Sequence, residues 1–119
     1  MKTILVVDDS PTVRQLVAMT LTQAGFGVVE AVDGVDALAK LDASIAMILC
    51  DINMPRMNGL ETIEKLRTDP RWKLLPVVML TTEGQPAMIE RAKKAGAKGW
   101  IIKPFKPEML VAAVTRVTA

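Results

Sequence analysis

Residues 4–11 read Ile4-Leu5-Val6-Val7-Asp8-Asp9-Ser10-Pro11, four aliphatic residues, two carboxylates and a helix start. A continuous apolar run of this length, rich in Ile and Val, is the pattern of a strand buried on both faces. Ser10-Pro11 has the form of an N-cap followed by proline at the first helical position. The same grammar repeats along the chain, with apolar runs at Val28–Ala31, Ile45–Cys50, Val77–Leu80 and Trp100–Ile102. Between and after them lie stretches of helical spacing. The first carries Val13, Leu16, Val17, Thr20, Leu21 and Ala24, and the second Val35, Leu38 and Leu41. Leu60, Ile63 and Leu66 make the third, Met88, Ala92 and Ala95 the fourth, and Leu110, Val114 and Val117 the fifth. Gly25 and Gly96 stand where C-terminal caps are expected. Strands alternating with helices predict a parallel five-stranded sheet covered on both faces, a three-layer α/β sandwich.

A length of 119 residues fits one domain, 1–119, with no room for a second output domain. Lys plus Arg number 15 and Asp plus Glu 13, a net charge of +2 that gives no reason to expect nucleic acid as a partner. The single Cys excludes a disulfide framework and a Cys-based zinc site, and it suits a reducing compartment. There is no His, so His-metal sites, Ser-His-Asp and Cys-His catalysis, and a phosphohistidine on this chain are all excluded. No apolar stretch reaches the ~18 residues of a membrane helix, and Asp8 and Asp9 interrupt the start too early for a signal peptide. The expected location is the cytoplasm, without membrane insertion.

In parallel sheets, function gathers beyond the carboxyl ends of the strands. The residues found there are Asp8 and Asp9, Asp51, Thr81 and Thr82, and Lys103 followed by Pro104; the second strand contributes Val32 and Asp33 and adds less. Three carboxylates held close repel one another unless positive charge sits among them. Lys103 supplies one charge, and an all-oxygen ligand set points to Mg²⁺ for the rest. Mg²⁺ beside an Asp nucleophile suggests phosphoryl chemistry through an acyl phosphate. Taken singly, Asp9 or Ser10 reads as an N-cap and Lys103 as a solvated loop lysine; together at one sheet edge they favour a site.

Four stretches now carry a resemblance: Ile4 to Ser10, Asp51-Ile52-Asn53-Met54-Pro55 with Met57-Asn58-Gly59, Leu80-Thr81, and Lys103-Pro104-Phe105. Over essentially its whole length the chain resembles the CheY-like response-regulator receiver domain, of the stand-alone type. The resemblance implies a flavodoxin-like (βα)5 fold with strand order 2-1-3-4-5, and Asp51 as phospho-acceptor. It implies that Asp8, Asp9, Asp51 and the backbone carbonyl of Asn53 hold Mg²⁺, while Thr81 and Lys103 bond phosphoryl oxygens. It also implies a cis Lys103-Pro104 peptide and a third helix starting at Gly59. The expected function is two-component signal transduction. A sensor histidine kinase or phosphotransfer protein donates to Asp51, with no turnover of an external substrate. A protein target then reads the face of the fourth helix, fifth strand and fifth helix, where Ile89, Lys93, Trp100 and Lys106 should lie. Chemotaxis, pilus-based motility and phosphorelays all remain open as pathways. The expected state is a monomer, with dimerisation on phosphorylation as the alternative.

Two positions depart from the commonest family pattern. Thr82 stands where Ala or Gly is usual, and Trp100 replaces Tyr, Phe or His as the aromatic expected to act with Thr81 as the switch. Asn53 and Glu83 resemble the pair found in fast-decaying members, whereas the Thr82 methyl would slow water. Cys50, the Met residues and the Lys93, Lys94 and Lys98 group read as packing and as a solvated face. Trp72 is expected to cover the end of the third helix. A dehalogenase-type phosphatase also uses Asp, Thr, Lys and Mg²⁺, but Ile52-Asn53 after Asp51 breaks its Asp-x-Asp motif. A receiver-like binding module that is never phosphorylated would have lost an acidic residue or the lysine, and none is lost.

Overall fold

The computed structural model describes residues 1–82 and 86–119. The elements run β1 (Thr3–Val7), α1 (Pro11–Gln23), β2 (Gly27–Ala31), α2 (Gly34–Lys40), β3 (Ile45–Asp51), α3 (Gly59–Arg67), β4 (Val77–Thr81), α4 (Pro86–Lys94), β5 (Gly99–Ile102) and α5 (Pro107–Thr118). The strands form one sheet, all neighbours parallel, in the order β2-β1-β3-β4-β5. This is the flavodoxin-like three-layer sandwich expected from the sequence.

Alternation of side chains along each strand divides the core in two. Leu5, Val7, Ile48, Cys50 and Met79 face α2, α3 and α4, meeting Ala37, Leu60, Ile63, Leu66 and Ala92. Ile4, Val6, Met47, Leu49, Val78 and Leu80 face α1 and α5, meeting Val17, Leu21, Leu110 and Val114. Each fully buried Leu, Ile or Val contributes roughly 1.5–3 kcal/mol relative to exposure, so the two layers are the main source of stability.

Three residues of the expected stripes lie on the solvent side. Leu16 and Val35 are each 42% exposed, and Ala24, past the end of α1, is exposed as well. In α1 the inward line is Val13, Val17 and Leu21, and Leu16 sits one residue, or 100°, off it. In α2, Ala37 takes the buried position instead of Val35, which lies two residues and 200° away.

The helix starts are capped by local side chains. The Ser10 hydroxyl accepts from the Val13 N–H, and Asn58 and Glu61 form a reciprocal capping box at α3. The Asn58-x-x-Glu61 spacing is the local sequence signal of this capping box. Arg67, closing α3, donates to the carbonyls of Trp72, Leu75, Ala95 and Gly96. It thereby ties the loop of residues 68–76 and the turn after α4 to α3. Trp72 is half-buried against the core under α2 and α3, as expected.

Candidate functional site

Strand order and register assemble the site. β1 lies beside β3, with Val7 paired to Cys50, so Asp8 emerges next to Asp51. Asp51 is paired with Leu80, one residue before Thr81, and Thr81 is paired with Ile102, one residue before Lys103. Asp8, Asp51, Thr81 and Lys103 therefore leave four adjacent strands at the same edge. β2 lies outside β1, which leaves Asp33 to one side of this group.

Ligand oxygens of Asp8, Asp9 and Asp51 lie within 4.8 Å of one another. Asp8 is fully buried, Asp51 is 5% exposed, and Asp9 is open to solvent. The Lys103 Nζ donates to Asp8 Oδ2 at 2.8 Å and stands 3.4 Å from Asp51 Oδ1. The backbone N–H of Ser10 donates to Asp8 Oδ1 at 2.9 Å, and the Asn53 backbone amide lies near enough to favour the ionised form of Asp51. Thr81, 4% exposed, accepts at its carbonyl from the Lys103 N–H. The Lys103-Pro104 peptide is cis. Thr82 is exposed beside this edge, and Glu83 lies outside the described residues.

Glycine at 59 lets α3 start directly against the strand end. A Cβ there would stand 2.3 Å from the Asp51 carbonyl oxygen and 2.9 Å from the Ile52 Cα. The Gly59 N–H bonds the Ile52 carbonyl, and the Ile52 N–H bonds that of Leu80, so both ends of the turn are anchored.

Burial, reinforced by the Asp8 charge, pushes the Asp51 carboxyl above the ordinary range against the pull of Lys103. Burial alone would lower the Lys103 ammonium; its hydrogen bond to Asp8 and the charges of Asp51 and Asp8 outweigh that and raise it. Three carboxylates thus face one ammonium. All-oxygen donors short of positive charge fit a hard divalent cation, and Mg²⁺ takes one or two carboxylates while keeping waters. Burial raises the Cys50 thiol as well, so it stays protonated and packs in the core, as read from the sequence.

Further residues support this edge without any signal in their local sequence. Arg14 donates from Nη1 to the Asp8 backbone carbonyl at 2.7 Å and from Nε to Glu30. Arg56 pairs with Asp33. Trp100 is half-buried on β5, with the Lys93 ammonium 5.1 Å from the centre of its ring. Lys93 is thus more than part of a solvated face. Beside β5 and α5 lies a groove of about 820 Å³, lined by Trp100, Ile102, Phe105, Lys106, Met109 and Arg116 among others.

The family model described as the response regulator receiver domain matches residues 4–115. The chain belongs to this family. The receiver domain is 46% identical over 110 residues to the chemotaxis protein CheY1 of Helicobacter pylori strain 26695, covering 90% of this chain and 89% of that protein. A chemotaxis protein CheY homolog of Campylobacter jejuni is 43% identical over 110 residues, covering 90% and 85%. Among solved structures, chemotaxis protein CheY4 of Vibrio cholerae superposes with a TM-score of 0.93 at 44% identity, covering 98% of each chain. The receiver domain is therefore CheY-like in sequence and in fold. Among its described residues, no helix is long and apolar enough to cross a membrane.

Proposed function

We propose that the receiver domain is a phospho-accepting response regulator of two-component signalling. Its donor is the phosphohistidine of a sensor kinase or phosphotransfer protein, and its acceptor is Asp51. The observation that carries this reading is the buried Asp51 carboxylate, 3.4 Å from the Lys103 ammonium and clustered with Asp8 and Asp9. An Asp51 oxygen attacks phosphorus as the phosphorus–nitrogen bond breaks with its electron pair going to nitrogen, leaving an acyl phosphate on Asp51 and, because the donor's other ring nitrogen carries a proton, a neutral imidazole. Lys103 offers its charge to the transferred oxygens, and the Thr81 hydroxyl is the second group assigned to them. Asp8, Asp9, Asp51 and the Asn53 carbonyl would hold Mg²⁺, which supplies charge neutralisation to an anionic donor at an acidic edge.

The modified site then signals through the face of α4, β5 and α5 to a protein target, with Thr81 and Trp100 as the switch pair. The apolar groove with Lys106 and Arg116 at its sides is a suitable contact surface for that target. The likeness to chemotaxis proteins favours a chemotaxis-type pathway in the cytoplasm. No external substrate is turned over. Intact-mass spectrometry with a small acyl-phosphate donor tests the assignment. One phosphoryl adduct is expected with Mg²⁺ and none in Asp51→Ala; equal adduct in that variant would refute Asp51 as acceptor.

A further inference from the structure

Arg56 has φ 62°, the only positive φ at a non-glycine residue among the described residues. Long side chains seldom adopt this left-handed conformation, and it persists where surrounding contacts enforce it. One contact is local, the Met57 N–H donating to the Pro55 carbonyl at 2.7 Å across Arg56, and the others come from the start of α2. Arg56 Nε donates to Asp33 Oδ2 at 2.6 Å, although the arginine side chain is otherwise largely exposed. Asp33 is 3% exposed and uses its other oxygen, Oδ1, to cap α2 at the Asp36 N–H. Alongside, the Gly34 N–H donates to the Met57 carbonyl at 3.2 Å. The fit there is close. A Cβ on Gly34 would stand 2.0 Å from Thr62 Oγ1 and 2.9 Å from the Met57 oxygen.

The strapped segment is the turn between β3 and α3, residues 52–58. It opens at Ile52-Asn53 directly after Asp51, with the Ile52 N–H anchored on the Leu80 carbonyl at 3.0 Å. We infer that Arg56 and Asp33 are positioning residues, an ion-paired strap that holds this turn in a strained form and so sets Asn53 against Asp51. The inference rests on the reading of Asp51 and Mg²⁺ above and adds to it a control on site geometry from outside the acidic cluster. Without the strap, Arg56 relaxes to negative φ, the turn moves away from α2, and the Asn53 amide and carbonyl lose their fixed place.

Charge alone and the strap make opposite forecasts for Arg56 and the same forecast for Asp33. Removing the Arg56 cation near an acidic pocket should tighten Mg²⁺ binding by field effects, and removing the Asp33 anion should weaken it. Loss of a strap weakens binding in both cases. The variants are Arg56→Ala, Asp33→Asn and their double. Asn is as good an N-cap as Asp, so Asp33→Asn spares the α2 cap. Calorimetric Mg²⁺ titration of the purified protein should show affinity about 10-fold weaker in each single variant, the scale of losing an outer-sphere partner, and no weaker in the double. In metal-free protein, the Gly34 amide should exchange with solvent several-fold faster in every variant. Opposite shifts in the two single variants, or unchanged affinity and exchange, would overturn the strap. Wild-type protein that takes up neither Mg²⁺ nor a phosphoryl group would overturn the reading of Asp51 instead. The Gly34 exchange, which needs neither, would then still decide whether the strap holds the turn.

Discussion

Replacing Lys103 with Met removes the ammonium from a group of three carboxylates and keeps most of its apolar stem. Asp8 is fully buried and Asp51 nearly so, and Asp8 retains one backbone donor, the Ser10 N–H. Breaking a buried pair by deleting one partner costs about 3–5 kcal/mol. The retained donor and the 15% exposure of the Lys103 side chain place this case at the low end, about 3 kcal/mol. That is a large part of the ~5–15 kcal/mol available to a domain and corresponds to a fall in Tm of about 10 °C. The pH dependence follows from the directions of the shifts. Lys103 is raised, so its contribution is complete below the ordinary lysine value and fades as pH rises through its folded value. Asp51 is also raised, so its ionised form opposes folding, and protonation relieves that opposition as pH falls. In Lys103→Met the opposition is larger. The gap between the two proteins should therefore narrow as pH falls from neutral towards the ordinary carboxylate range, and Mg²⁺ should stabilise the variant more than the wild type. Urea unfolding followed by circular dichroism, with and without Mg²⁺, measures each quantity. A loss below ~1 kcal/mol near neutral pH, or a gap that widens on acidification, would refute the reasoning.

Arg67→Ala frees four carbonyls at once and should cost about 3 kcal/mol in urea unfolding, with Arg67→Lys recovering less than half because an ammonium lacks the planar fork. Thr82→Ala removes the γ-methyl and hydroxyl of an exposed residue next to Thr81 and should speed loss of the phosphoryl group from Asp51, read by intact-mass spectrometry over time. In a Trp72→Phe background, Trp100 emission should shift when Asp51 is phosphorylated. The shift should be partial, since reversing a 1:99 population needs ~5.5 kcal/mol of differential interaction. Lys93→Met, which removes a cation–π contact of about 0.5–1 kcal/mol, should move the unphosphorylated emission towards the phosphorylated one.

Much of the molecule is written in local patterns. Strand β1 and its carboxylates, the Ser10-Pro11 start and the apolar lines of α3 and α5 are each decided by neighbours within a few residues. Period and capping chemistry act over that same range. Asp8, Asp51, Thr81 and Lys103 were legible for the same reason, because each directly follows an apolar run. Patterns of this kind decide which residues end a strand, but they do not decide which strands are adjacent. The order β2-β1-β3-β4-β5 came from the family resemblance, and it is what turns separate strand ends into one site.

Helix faces were legible only in part, Leu16 standing one residue's rotation and Val35 two from the buried line. Leu16 and Val35 are apolar and near the stripe, yet the packing of α1 and α2 on the sheet turned them outward. The arginines show where sequence runs out. Arg14, Arg56 and Arg67 look alike in the chain, each a charged residue in or beside a helix. Only the folded chain brings them to the Asp8 carbonyl, the Asp33 carboxylate and the carbonyls after α3 and α4. A long flexible cation finds its partner by reach, and reach depends on where other elements dock. The sequence thus determined the elements and the chemistry at their ends, whereas tertiary packing alone chose the arginine partners that hold those ends in place.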